Sequence, residues 1–231
     1  MVVKISGESL RGSHPLDRQR MSEVARTLAS VYALGVDMSV IVGGGNLFRG
    51  TEADSWQMDR PQADVVGMIA TGLNCAILEG LLTQLGVSTQ TFSRGPCRGI
   101  GHEYLREDVC AALDRRRVVI LAGGIGQTGV STDVAAVHAA IDTHADAIVM
   151  SKYGVDEGVY DADPRRNPRA RFLPKLTASQ ALAQGLAFMD AAGLAMARDY
   201  AKRIFVVPAS DMANIRYLIE GKDIGSVVLP E

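Results

Sequence analysis

The chain has 231 residues, 47% of them apolar and 22% charged, with 24 lysines and arginines balanced against 26 aspartates and glutamates. This length suits one large α/β domain, and the even charge argues against a nucleic-acid-binding surface or a disordered tail, so any anionic ligand must be caught locally. Three cysteines without CxxC spacing (Cys75, Cys97, Cys110) argue against a disulfide framework or zinc cluster, and neither a basic leader nor an uninterrupted 18-residue apolar run marks export or a membrane span, so a cytoplasmic protein is expected.

In chain order, the run Val2 to Ile5 reads as a buried strand that ends in Lys4 to Gly7 (KISG). Met21, Val24, Ala25, Leu28 and Val31 follow at helical spacing, and the strand Met38 to Val42 leads into Gly43 to Asn46 (GGGN). Beyond Arg49, Trp56 sits in a polar loop that reads as a lid. The helix spanning about Gln62 to Leu85 carries Val65, Val66, Met68, Ile69, Leu73, Ile77, Leu78 and Leu81, more apolar positions than one sheet-facing stripe requires, so self-association through it is expected. Strands at Val87 to Phe92 and Val118 to Leu121 flank a glycine-rich stretch, Gln90 to His102, and the second of them ends in Gly123 to Gly126 (GGIG). Further strands are expected at Ala147 to Met150, Ile204 to Val207 and Val227 to Leu229, with a charged, proline-bearing loop from Asp161 to Pro174 over the sheet's edge or end. Strands alternating with helices predict an α/β fold, a three-layer αβα sandwich around a mostly parallel sheet, as a single domain over residues 1–231.

Three glycine-bearing strand ends, each read as running straight into a helix, suit phosphate. Glycine lets backbone N–H groups approach it, and a helix start favours the negative charge. A P-loop is absent from the sequence. The GxGxxG of Gly124, Gly126 and Gly129 leads to a strand ending at Met150 and Ser151 instead of a ribose-binding acid, which argues against a dinucleotide site. Lys4, Arg49 and Lys152 supply positive charge near these loops, and phosphoryl transfer needs such cations more than covalent help. Arg49 and Lys152 read equally as solvated side chains, whereas Lys4 inside an apolar strand must find a partner. Asp64, Asp133 and Asp163 are the candidate carboxylates, although Asp133 after Ser131 and Thr132 reads as well as a helix cap. His14, His102, His138 and His144 form no ligand-spaced pair.

The segments KISGESLRG (4–12), VIVGGGNLFRG (40–50), MDRPQADVVGM (58–68), STD (131–133), SKYGVDEGVY (151–160), GVYDADP (158–164) and MDAAGLAMARD (189–199) together resemble bacterial uridylate kinases of the amino acid kinase superfamily. The resemblance implies a donor site for ATP formed by Lys4, Ser6, Gly7, Gly45, Arg49, Tyr153, Tyr160 and Asp163. It implies an acceptor site for UMP formed by Gly44, Asp64, Ile125, Gly126, Gln127, Thr128, Gly129, Val130, Ser131 and Thr132. Lys4, Arg49, Asp133 and Lys152 would be catalytic, with Mg2+ accompanying ATP and no metal ligands assigned on the protein. An acceptor-binding part would span about 1–145 and a donor part about 146–231, in a homohexamer built of dimers with no nucleic-acid or membrane partner.

The chain departs from that family at Gln127 to Val130, where an aromatic-bearing loop is usual, at the inserted Glu157, in a shortened segment after Arg11, and along Gln90 to His102. Two alternatives to a UMP kinase therefore stand. One is a kinase of another nucleotide or small phosphorylated metabolite; the other is a nucleotide-binding regulator without turnover.

Overall fold

The computed structural model describes residues 1–154 and 156–231; Val155, inside the SKYGVDEGVY segment, lies outside the described residues. The β-branched runs form the strands β1 (Val2–Ile5), β2 (Ser39–Val42), β3 (Thr89–Ser93), β4 (His102–Glu103), β5 (Val118–Ala122), β6 (Ala147–Lys152), β7 (Lys175–Thr177), β8 (Arg203–Pro208) and β9 (Ser226–Leu229). They join in one nine-stranded sheet ordered β4-β3-β5-β2-β1-β6-β8-β9-β7. All neighbours pair in parallel except β8 and β9. The chain starts at the centre of this sheet, goes to one side for β2 and to the other for β6, so the carboxyl ends on either side of β1 frame a crevice of the kind that binds ligands.

Among the described residues, seven α-helices, α1 (Arg18–Tyr32), α2 (Arg60–Gln84), α3 (Arg106–Asp114), α4 (Thr132–Asp142), α5 (Ala178–Ala183), α6 (Ala191–Asp199) and α7 (Asn214–Ile219), cover the two faces of the sheet. Alternation along each strand decides which helices it meets. Val3, Ile5, Val40 and Val42 pack with α1, α2 and α7, whereas Val2, Ile41, Ile148 and Met150 pack with α3 to α6. Aspartate caps start several helices: Asp17 accepts from Arg20 N–H, Asp59 from Gln62 N–H ahead of a first turn that contains Pro61, and Asp190 from Ala192 N–H.

One expectation needs correction. The glycine loops do not run straight into α-helices. KISG opens a single 3₁₀ turn (Gly7–Leu10), GGGN precedes another (Gly50–Trp56), and Gly123 lies nine residues before α4. The short edge strands β4 and β7 went unforeseen. The segment from Asp161 to Pro174 folds back on itself, with Asp161 N–H donating to the Arg171 carbonyl and Leu173 N–H to that of Val159. Helix α2 is long and apolar enough to cross a membrane by length and composition alone, but it buries Met68, Asn74, Cys75, Leu78 and Leu82 within the fold.

Candidate active site

Lys4 is the penultimate residue of β1 and shares a sheet face with Val2, the face covered by α4. Its side chain is buried, and the ammonium lies 2.8 Å from Asp133 Oδ1 in the first turn of α4, an ion pair without hydrogen-bond alignment. Lys152, the last residue of the neighbouring strand β6, brings its Nζ to 3.7 Å from Asp133 Oδ2, and the Asp190 N–H donates to that oxygen at 3.3 Å. The helix-cap reading of Asp133 falls to Ser131, whose hydroxyl accepts from Val134 N–H, so the Asp133 carboxylate is left for the lysines. Burial would raise the Asp133 carboxyl, but Lys4, Lys152 and the Asp190 N–H outweigh it and hold the group below the usual carboxylate range. Burial also lowers the Lys152 ammonium, against the pull of Asp133. Two lysines around one carboxylate leave one positive charge in surplus at the floor of the crevice. That surplus suits charge developing on a transferring phosphoryl group.

The loops around this cluster are close-packed backbone. A Cβ on Gly7 would stand 2.5 Å from Gly45 N and 2.6 Å from the Gly43 carbonyl, so glycine alone fits there. Beneath them two fully buried amides interlock. Asn74 Nδ2 donates to the Gly43 carbonyl at 2.8 Å and to Asn46 Oδ1 at 2.7 Å, while Asn46 Nδ2 donates to the Pro15 carbonyl at 2.9 Å. Arg49, exposed at the rim, sends Nε and Nη2 to one oxygen of Glu8 at 3.0 and 2.7 Å.

On the opposite wall, Asp64 of α2 accepts from Arg60 Nε at 2.8 Å and from Gly129 N–H at 2.7 Å. Burial would raise its carboxyl, yet these two donors hold it below the usual range. Thr71, about two turns further along α2, accepts the Gly123 N–H at 2.8 Å through its hydroxyl. The loop of residues 123–131 is thereby tied to α2 at two points.

These groups line one cavity of about 390 Å³, within the size range of small-molecule sites. Of the residues expected at the site, Lys4, Ser6, Gly7, Gly44, Gly45, Arg49, Asp64, Gln127, Gly129, Val130, Ser131, Thr132, Asp133 and Lys152 contribute to its walls. Ile125, Gly126 and Thr128 do not: Ile125 packs into the core and Gly126 lies against Gly95 behind the loop. A second cavity of about 250 Å³ contains Tyr160 and Asp163 together with Gly158, Leu186 and Phe188. It starts two residues from the first along the chain on both sides, with Gly154 after Lys152 and Phe188 before Asp190. Asp163 there is paired with Arg165, whose hydrogen bonds hold its carboxyl below the usual range. Tyr153 is exposed and lines neither cavity. Sequence reasoning missed Asp190, Glu8, Thr71 and Asn74. Only Asp190 left a local signal, an aspartate just ahead of an alanine-rich helix.

The amino acid kinase family profile matches residues 1–208. The uridylate kinase of Nitrobacter winogradskyi is 39% identical over 238 residues, covering 99% of this chain and 96% of that protein. That of Frankia casuarinae is 36% identical over 231 residues, covering 99% and 89%. Among solved structures, UMP kinase from Bacillus anthracis superposes with a TM-score of 0.93 at 32% identity over 100% of this chain and 95% of that one. UMP kinase from Ureaplasma parvum gives 0.90 at 33% identity over 99% and 97%.

Proposed function

The chain belongs to the amino acid kinase family, and from that membership and its end-to-end likeness to uridylate kinases we infer its reaction: it is a nucleoside monophosphate kinase that phosphorylates UMP to UDP at the expense of ATP. The observation that carries this reading is the cluster of Lys4, Asp133 and Lys152 on the floor of a cavity walled by glycine backbone.

In the proposed division of labour, the acceptor's phosphate oxygen attacks the γ-phosphorus while the bond to the β,γ-bridging oxygen breaks and ADP leaves. Lys4 and Lys152 neutralise the equatorial oxygens, and Asp133 keeps the two ammonium groups aligned between turnovers. Arg49 exchanges Glu8 for phosphate at the junction of the two substrates. Ser6, Gly7 and Gly45 cradle the donor phosphates, and Tyr160 and Asp163 in the second cavity face the adenosine. Gly44, Asp64 and the loop of Gln127 to Thr132 hold the acceptor, so residues up to about 145 serve chiefly the acceptor and the remainder the donor.

Magnesium enters in this reading as part of the substrate, MgATP. Mg2+ keeps waters and phosphate oxygens in its shell and asks for one or two carboxylates at most. The cavity offers Asp64, Asp133 and Asp190 singly, and among the described residues no group of three ligating side chains occurs. Self-association belongs to the same proposal. Ile69 and Leu73 are 48% and 44% exposed on the outer face of α2, which a second copy would cover, and a hexamer would assemble from such dimers in the cytoplasm. Light scattering at micromolar concentration is expected to show more than a monomer. The reaction is tested by ADP release from ATP against a panel of nucleoside monophosphates. Turnover with UMP supports the reading, turnover with another acceptor alone moves the substrate, and binding without turnover removes the enzyme.

A further inference from the structure

The glycine-rich stretch after β3 does not line the cavity. It lies behind the acceptor loop, and the two backbones interlock. A Cβ on Gly123 would stand 2.3 Å from the Arg94 carbonyl oxygen, and one on Gly95 would stand 2.7 Å from Gly126 Cα. Gly95, Gly123 and Gly126 all have positive φ (55°, 83° and 78°), so both loops take conformations that side chains would strain. Cys97 secures the middle of the stretch, its thiol donating to the Met68 carbonyl of α2 at 3.1 Å.

The near end is held by Arg94. Its guanidinium carbon lies 3.4 Å from the centroid of the Tyr104 ring, and Nη2 lies 3.4 Å from Asp142 Oδ2. The same oxygen accepts the Tyr104 hydroxyl at 2.6 Å and has His138 Nδ1 at 3.2 Å. Asp142 is the last residue of α4, and α4 begins where the acceptor loop ends. A closed circuit results: acceptor loop, α4, Asp142, Arg94, Gly95, and back to the acceptor loop at Gly126. A cation stacked on an aromatic face and paired with a carboxylate, only 17% exposed, is a stiff link in that circuit.

We propose that Arg94 is a positioning residue for the acceptor site, fixing from behind the shape of the loop that receives the nucleoside monophosphate. The proposal rests on the assignment of that loop to the acceptor. Removing the guanidinium leaves the Tyr104 hydroxyl on Asp142 Oδ2 and Arg106 Nε on the Asp142 carbonyl at 3.0 Å, so α4 and its Asp133 keep their anchor while the loop loses its back wall.

The test compares Arg94→Ala and Arg94→Lys with the unaltered chain. Lysine keeps the charge but not the planar stack. Both variants are expected to raise the UMP KM by roughly 3- to 30-fold, the range spanned by losing a desolvated cation–π contact. The ATP KM and kcat are expected to stay within about 2-fold, and amide exchange at Gly123 to Gly129 to quicken by a factor like that in KM. Hydrogen exchange needs no substrate, so it judges Arg94 even if UMP proves not to be the acceptor. Unchanged exchange and unchanged UMP KM would overturn the proposal. So would a parallel loss in kcat and both KM values with a lowered Tm, since that marks a general fold defect; if the alanine variant fails to fold, the lysine variant decides by the same readouts.

Discussion

Two walls of the cavity are built by opposite means. The loop of Gly43 to Asn46 rests on two interlocked amides, Asn46 and Asn74, both fully buried, and its glycines touch Gly7 at van der Waals distance. The acceptor loop from Gln127 to Val130 is exposed along its length, and Gly129 N–H reaches Asp64 across the rim. A buried, fully hydrogen-bonded network specifies one geometry. An exposed loop tolerates change. On the proposed assignment the floor carries the chemistry and the exposed loop receives the acceptor, so each should answer mutation differently: the floor in turnover or stability, the acceptor wall in affinity.

The largest effect is expected at the floor. Lys4→Ala should lower kcat at least ~100-fold, the scale of losing one donor aimed at the transition state. Lys152 at 3.7 Å remains to balance Asp133, so circular dichroism should still report a folded protein. A folded Lys4→Ala variant with normal turnover would break the comparison at its strongest point.

Next comes the foundation of the glycine loop. Asn74→Ala orphans the Gly43 carbonyl and Asn46 Oδ1 at a fully buried site, and should cost about 2 kcal/mol in denaturant unfolding. An equal cost for a substitution at exposed Thr128 would show that the two walls are not differently anchored.

Much of this was legible in the sequence, for reasons that individual residues make plain. The central strands announced themselves because β-branched residues buried on both faces leave near-continuous apolar runs such as Val118 to Ala122. Lys4 stood out because a charge inside such a run must be compensated. The strands β4 and β7 gave no pattern, having two and three residues with polar members. The antiparallel turn of β9 against β8 is a tertiary choice with no local signature. Glu8 and Asn74 were missed since their partners, Arg49 and Gly43, lie 41 and 31 residues away, and Asp64 gave no hint of its bond to Gly129, 65 residues on.

A smaller effect is expected on the acceptor wall. The resemblance noted in the sequence implies aromatics where Gly129 and Val130 stand, but Gly129 has φ +74°, which an aromatic residue would strain. The useful substitution is Val130→Phe. It should lower the UMP KM by about 2- to 10-fold, the scale of one aromatic contact, with kcat unchanged. A drop in kcat instead would mean that the rim takes part in the chemistry.

The smallest effect concerns pH. Asp133 has a folded pKa below its unfolded value near 3.8, so its ionised form stabilises the fold above that value. This contribution fades as pH falls through the depressed folded pKa. Urea unfolding of the unaltered chain should lose stability below about pH 4, and Asp133→Asn should flatten that part of the profile. An unchanged slope in the variant would show that Asp133 is not the linked group.

The division between a buried floor and an exposed acceptor wall is tested most directly by steady-state kinetics of the unaltered chain with saturating MgATP and varied UMP, beside CMP and other nucleoside monophosphates. The account predicts a kcat with UMP of about 1–100 s⁻¹, the usual range for kinases, a UMP KM at least about 2-fold above that of Val130→Phe, and measurable turnover with a second acceptor. A low UMP KM that Val130→Phe does not improve, together with strict selectivity for UMP, would contradict it.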